Sequence, residues 1–272
     1  MRNAHAPFGL LKAALLATAV FAAHAQTPVV SNGGISNAAN GFSTVSPGSL
    51  VSIYGSNLAS SLAQADTIPL STTLNNVSVS INGVAAPLLF VSSGQINAQV
   101  PWEVLSSGTT GTANVVVTRS GQASASQSVQ VGPFSPGIFA VSNSSGNFAI
   151  AINSDGSIAA PAGAIPGVAT TPAKIGDPKG LVILCTGLGA VTPNATTGAA
   201  SLDALRNANT LPTVLVGGQS VPVAFAGLSP QFVGVNQINI SLPSGTPTGT
   251  VPLQISVGGV VSTNTVTIAV SQ

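Results

Sequence analysis

Val77-Ser78-Val79-Ser80-Ile81-Asn82-Gly83 is the stretch that decides how this chain is read. Its apolar residues fall at alternate positions with small polar residues between them. Successive side chains of a strand point to opposite faces, so this pattern sets one face on a core and the other in water. The Asn82-Gly83 pair that follows is a strong hairpin signal, because a type I′ turn needs positive φ at both central residues.

Working outward, Ser120-Gly121 and Gly258-Gly259 mark further hairpins. Residues 115–118, 129–131, 253–257 and 266–270 read as strands by the same alternation. Pro87 and Pro222 stand inside strand-like runs. Proline has no N–H for the ladder, so those strands are expected at edges or with bulges. Helical patterning is nearly absent. Residues 60–65 and 201–208 could each give about two turns, with Ser201 as an N-cap. The many short strands predict an all-β chain of antiparallel sandwiches. A membrane barrel also alternates, but it needs aromatic girdles. Beyond residue 25 the chain has seven Phe, one Tyr and one Trp, too few for two girdles.

The strand pattern occurs twice. Ser46-Pro47-Gly48-Ser49 before Leu50-Val51-Ser52-Ile53-Tyr54-Gly55 is echoed by Asp177-Pro178-Lys179-Gly180 before Leu181-Val182-Ile183-Leu184-Cys185-Thr186-Gly187. The sharpest match is Gln95-Ile96-Asn97 with Pro101 against Gln237-Ile238-Asn239 with Pro243, 142 residues apart. Two copies point to tandem domains, since a solenoid needs three or more units. The expected organisation is a signal peptide over 1–25, one domain over 26–132, a connector over 133–176 and a second domain over 177–272. The connector is rich in Pro, Gly, Ala and Ser, with a hairpin expected around Ser154-Asp155-Gly156-Ser157, and it is expected to pack on a domain. Pro136-Gly137-Ile138-Phe139 places an aromatic at its start.

The leader is read from Arg2 and Lys12, the apolar run 13–23 and the small-x-small site Ala23-His24-Ala25. That run is short against the roughly 20 residues a membrane span needs. No later stretch is long enough to span, so the expected location is secreted or in the cell envelope. Cleavage would leave 247 residues and remove both histidines, His5 and His24. Four basic residues (Arg119, Lys174, Lys179, Arg206) would then stand against five acidic ones (Asp66, Glu103, Asp155, Asp177, Asp203). Without histidine there is no Ser-His-Asp machinery and no imidazole metal ligand. Four scattered cations do not make a surface that neutralises phosphates, so nucleic acid is excluded as a partner. One cysteine gives no intramolecular disulfide. No cofactor or metal is expected.

The run 74–103, with Ala86-Pro87-Leu88-Leu89-Phe90-Val91-Ser92 and Gly94-Gln95-Ile96-Asn97-Ala98-Gln99-Val100-Pro101-Trp102, resembles the acidobacterial (Solibacter-type) C-terminal domain family of secreted proteins. The resemblance continues through Pro136-Gly137-Ile138-Phe139, Thr186-Gly187-Leu188-Gly189, Ala226-Gly227-Leu228-Ser229-Pro230 and Gly234-Val235-Asn236-Gln237-Ile238-Asn239. It implies paired Ig-like folds related to IPT/TIG domains, usually at the end of larger exported proteins, and it brings no activity or catalytic residue. The expectation for this chain is that only the leader precedes the module.

The candidate binding residues are Gln95, Asn97, Gln237, Asn239 and Trp102. Gln95, Asn97 and Gln99 share a strand face, where amides either hold a ligand or bond the protein's own backbone. Trp102, at a strand end, either stacks on a sugar or anchors a domain corner. Phe90 and Phe232 are the other aromatics that a carbohydrate-binding surface would use. Tyr54 reads as core. Cys185 reads as a small buried hydrophobe. Asn153-Ser154-Asp155-Gly156-Ser157 faintly resembles a calcium loop but lacks its further acidic positions. Gly187-Leu188-Gly189 is a dinucleotide-fingerprint fragment with no third glycine. Asp66 and Glu103 are the carboxylates that a glycosidase reading would pair. The expected function is a secreted non-catalytic binding or structural module that displays loops 56–71 and 191–211 to an extracellular protein or a polysaccharide.

Overall fold

The computed structural model describes residues 26–105, 109–263 and 265–272; the expected signal peptide lies outside them. No helix occurs among the described residues. The chain forms two β-sandwiches in tandem, each with its own core.

In the first sandwich one sheet runs Val29–Asn37, Leu50–Ser56, Gln95–Gln99, Leu88–Val91, Ala63–Gln64. It packs on a second that runs Thr44–Val45, Gln127–Val131, Gly111–Arg119, Val77–Ile81, Thr73–Leu74. The opening motif explains the packing. Val77, Val79 and Ile81 are buried with Ile53, Leu88, Ile96, Val115 and Val117 in one core, while Ser78 and Ser80 are half-buried. Its turn has Asn82 at φ 53° and Gly83 at φ 81°. Both lie in the left-handed region that a type I′ hairpin requires.

The second sandwich repeats this plan. Leu181–Thr186, Asn236–Ile240 and Val223–Leu228 build one sheet; Val266–Ser271, Gly249–Val257 and Thr213–Val216 build the other. Gly217-Gly218 stands where Asn82-Gly83 stood, again with both residues at positive φ. The proline expectation is met in both halves. The register slips between Leu88 and Phe90 and between Val223 and Phe225, one residue after Pro87 and Pro222.

The stretch read as a connector is woven into the second sandwich. Gly137–Ile138 and Ala151–Ile152 pair with Leu181–Thr186, while Gly146–Ala149 and Ala173–Lys174 pair with Val266–Ser271. The turn at 154–157 is present, closed by Asn153 and Ser157 and a bridge between Ile152 and Ile158. A second hairpin joins Ala140–Asn143 to Gly146–Ala149, and Phe148 packs with Ala160 and Ile165 in a small satellite core.

Neither helical turn forms. Residues 60–65 supply the short strand Ala63–Gln64, which pairs with Val91 and Phe90. At 201–208 the Arg206 guanidinium bonds Ser201 Oγ at 3.1 Å and Asp203 at 2.9 Å. Its Nε donates to the Asn194 carbonyl at 3.2 Å. These side-chain bonds hold the segment as a loop and leave Asn207 free to pair with Gly227.

Candidate functional site

The two Gln-Ile-Asn strands have the same geometry. Gln95 Nε2 donates to Asn97 Oδ1 at 2.8 Å, and Gln237 Nε2 donates to Asn239 Oδ1 at 2.8 Å. All four amides are half-buried on the outer faces of their sheets, because Ile96 and Ile238 take the inward positions. In the first sandwich Ser52 Oγ also donates to Asn97. Phe90 stands opposite Asn97, and Tyr54 opposite Gln95. Tyr54 is therefore not core, as expected from its sequence, but 44% exposed: it shares the outward face with Ser52, while Ile53 points in.

Gln99 lies at the far end of the same strand and is buried. Its Oε1 accepts from the Gly198 N–H at 2.7 Å, and its Nε2 donates to the Gly48 carbonyl at 3.3 Å. It thereby joins the first sandwich to a loop of the second. Thr186, fully buried, does the same from the other side. Its Oγ1 accepts from the Leu50 N–H at 3.0 Å and donates to the Gly234 carbonyl at 2.7 Å. Asn37 Nδ2 donates to the Ser135 carbonyl at 2.8 Å. Thr197 Oγ1 accepts from the Trp102 N–H at 3.0 Å and donates to Glu103 Oε2 at 2.7 Å. A buried polar group costs free energy unless it is bonded, so these paired groups hold the seam in one arrangement.

Two clefts open along this seam. The first, about 370 Å³, is lined by Pro47, Trp102 and Glu103 of the first sandwich, Phe134, and Asn194 and Asn209 of the second. The second, about 340 Å³, is lined by Asp66, Ile68 and Leu89 on one side and by Phe232 and Val233 on the other. Trp102 is half-buried; its backbone N–H bonds Thr197 across the seam, and the residue lines the first cleft. A Cβ at Gly48 would overlap the six-membered part of that ring. Phe134 is clasped from both edges. A Cβ at Gly189 would come to 2.8 Å from its Cδ1 and Cε1, and one at Gly258 would overlap its Cε2. The glycines of Gly187-Leu188-Gly189 thus give room to the passing segment 133–136, since a Cβ at Gly187 would collide with the Ser135 carbonyl.

The candidate chemistry is dispersed. Asp66 and Glu103 line different clefts. Asp155 Oδ1 accepts from the hydroxyl and the N–H of Ser157, which close a turn and hold its carboxyl below the usual range. The N–H of Lys179 and then the Ser154 hydroxyl do the same for Asp177. Arg206 beside Asp203 lowers that carboxyl to about 2. Cys185 is fully buried opposite Ile138 and Asn236, and burial pushes its thiol well up. No group of three metal-ligating side chains occurs among the described residues. Among them, too, no helix is long and apolar enough to cross a membrane. The loop 191–211 presents Leu202, Leu205 and Leu211, each about two-thirds exposed.

No curated protein matches the chain. Among solved structures, the SGBP-B protein of the Bacteroides ovatus mixed-linkage glucan utilization locus, in complex with a mixed-linkage heptasaccharide, is 16% identical with a TM-score of 0.32. The match covers 84% of this chain and 43% of that one, so this chain spans less than half its length. Domains 5–6 of the S-layer protein SbsC are 12% identical with a TM-score of 0.26, over 89% of this chain and 98% of that one. The plexin A4 extracellular region is 13% identical with a TM-score of 0.28, over 90% and 18%. In sequence, residues 40–132, which make up most of the first sandwich, match the model of the IPT/TIG domain family.

Proposed function

We propose that this protein is a secreted, non-catalytic module of the cell surface or extracellular space that binds an extracellular protein or a polysaccharide. The observation that carries this reading is the seam. Buried side chains of both sandwiches bond the partner's backbone, which supports their acting as one body, and residues of both line two clefts. Rigid scaffolds that position loops and clefts are suited to recognition. Dispersed carboxylates and an inert buried thiol support a non-catalytic role. The long motifs around Gln95 and Gln237 support placing the chain with the acidobacterial secreted family.

A polysaccharide ligand is favoured over a protein by one feature, Trp102 in the wall of a cleft to which the described residues bring no cation. The test is a glycan array and a cell-wall pulldown with the purified protein, with hydrolysis products assayed in parallel. Retention on cell-wall or glycan material without turnover is the expected result. Turnover of any bound glycan, or retention on neither glycans nor cell-surface proteins, would overturn the reading.

A further inference from the structure

We infer that the cleft between Trp102 and Phe134 is a binding site for an uncharged saccharide; this rests on the binding-module reading above. Two aromatic side chains line the cleft, and both are fixed. Trp102 packs on Gly48, and Phe134 is held between Gly189 and Gly258, where no Cβ stands in the way. Rings backed by glycine backbone lose little freedom when a ligand arrives, which lowers the entropic cost of binding. Their apolar faces suit the C–H face of a sugar ring.

The polar part of the wall suits hydroxyl groups. Asn194 and Asn209 supply amides, and Glu103 supplies a carboxylate. The loop that carries Asn194 is fixed by the bond from Arg206 Nε to its carbonyl. Asn209 is fixed by Thr192 Oγ1, which donates to its Oδ1 at 2.7 Å. Glu103 is oriented by the Thr197 hydroxyl. The cleft therefore offers aromatic faces with a few placed polar groups, the composition of a small-molecule site. Its volume of about 370 Å³ lies near the lower end of the range for such sites, which suits a short saccharide segment. Among the described residues no lysine or arginine lines it, so none of them neutralises an anion there. The single carboxylate is already engaged by Thr197, which favours a neutral polyol over a cation.

The chain has one tryptophan, so intrinsic emission reports this cleft directly. The experiment titrates the purified protein with neutral oligosaccharides of β-glucan, mannan and xylan type, with a uronic-acid oligomer, and with choline. The expected result is a saturable change in Trp102 emission with a neutral oligosaccharide. Its affinity should move less than about twofold between roughly 50 and 500 mM salt, since no ion pair is involved. Ala195→Leu, which enlarges a side chain in the cleft wall, should weaken binding about tenfold or more. A thermal melt of that variant checks that it is folded. Retention on glycans in the pulldown, with Trp102 emission unchanged and affinity unaffected by Ala195→Leu, would overturn the cleft and leave the binding module standing. A response to choline or to the uronic-acid oligomer alone, falling steeply with salt, would overturn the neutral ligand. Retention on no extracellular material would remove the underlying reading as well.

Discussion

The two sandwiches share a plan and differ at one end. Both have the paired-amide strand, a bulge after a proline, and positive-φ hairpins at Asn82-Gly83 and Gly217-Gly218. Even the backbone bond beside the amides is kept: the Gln99 N–H donates to the Pro87 carbonyl, and the Ser241 N–H to the Pro222 carbonyl. The side chains then part company. Gln99 is buried and bonded to the second sandwich, while Ser241 faces water. Pro101 is buried and Pro243 is exposed; Trp102 lines a cleft and Ser244 is exposed. What the halves share makes a sandwich, and what only the first half has makes a docking surface.

The largest effects should fall on the shared part and be alike in both halves. Ile96→Ala and Ile238→Ala each remove a fully buried side chain at matching positions. Each should cost about 2–5 kcal/mol in denaturant unfolding. A cost below about 1 kcal/mol in one half alone would break the equivalence.

Next come the seam positions, where the halves should differ. Gln99→Ala leaves the Gly198 N–H and the Gly48 carbonyl without their partner. A loss of about 1–3 kcal/mol is expected for such a buried orphan. Ser241→Ala, at the exposed counterpart, should stay within about 0.5 kcal/mol of wild type. Equal effects at the two sites would contradict the assignment of the seam to Gln99.

The outer amides should return to symmetry at smaller size. Gln95→Ala and Gln237→Ala each break one half-buried bond to an asparagine two residues on. Each should cost about 0.5–1 kcal/mol, near the net value of an ordinary hydrogen bond. A much larger loss at Gln95 alone would point to a role beyond its own strand.

The smallest effect is electrostatic. Asp203 is held at about 2 by Arg206, below the ordinary carboxylate value of 3.8. A depressed carboxyl contributes stability that is present above its unfolded value and lost as pH falls toward about 2. Arg206→Ala should return the Asp203 midpoint toward 3.8 in a carboxyl NMR titration. Because the carboxylate is exposed, the melting temperature above pH 5 should respond through the loop rather than through charge.

Much of the fold was legible because alternation and turn chemistry are local. Val77, Val79, Ile81 and the Asn82-Gly83 pair carry their own structure wherever they stand. The seam was not legible. Gln99 shares a strand face with Gln95 and Asn97, and only the arrival of Gly198 distinguishes it. Thr186 and Asn37 are ordinary residues in a chain rich in Ser, Thr, Asn and Gln, so nothing local sets them apart. The usable signal was a difference between the two halves: Gln99-Val100-Pro101-Trp102 against Ser241-Leu242-Pro243-Ser244. Phe134 was not legible because its setting depends on Gly189 and Gly258, which are distant in sequence. The expected helical turn at 201–208 yielded to Arg206, whose partners at Asn194 and Ser201 no periodicity encodes.

The central claim is that the seam makes the two sandwiches one rigid body. Backbone residual dipolar couplings in a weakly aligned sample test it most directly. A single alignment tensor should fit the couplings of both sandwiches, and Gln99→Ala combined with Thr186→Val should split it into two. Two distinct tensors in the wild-type protein would contradict the account.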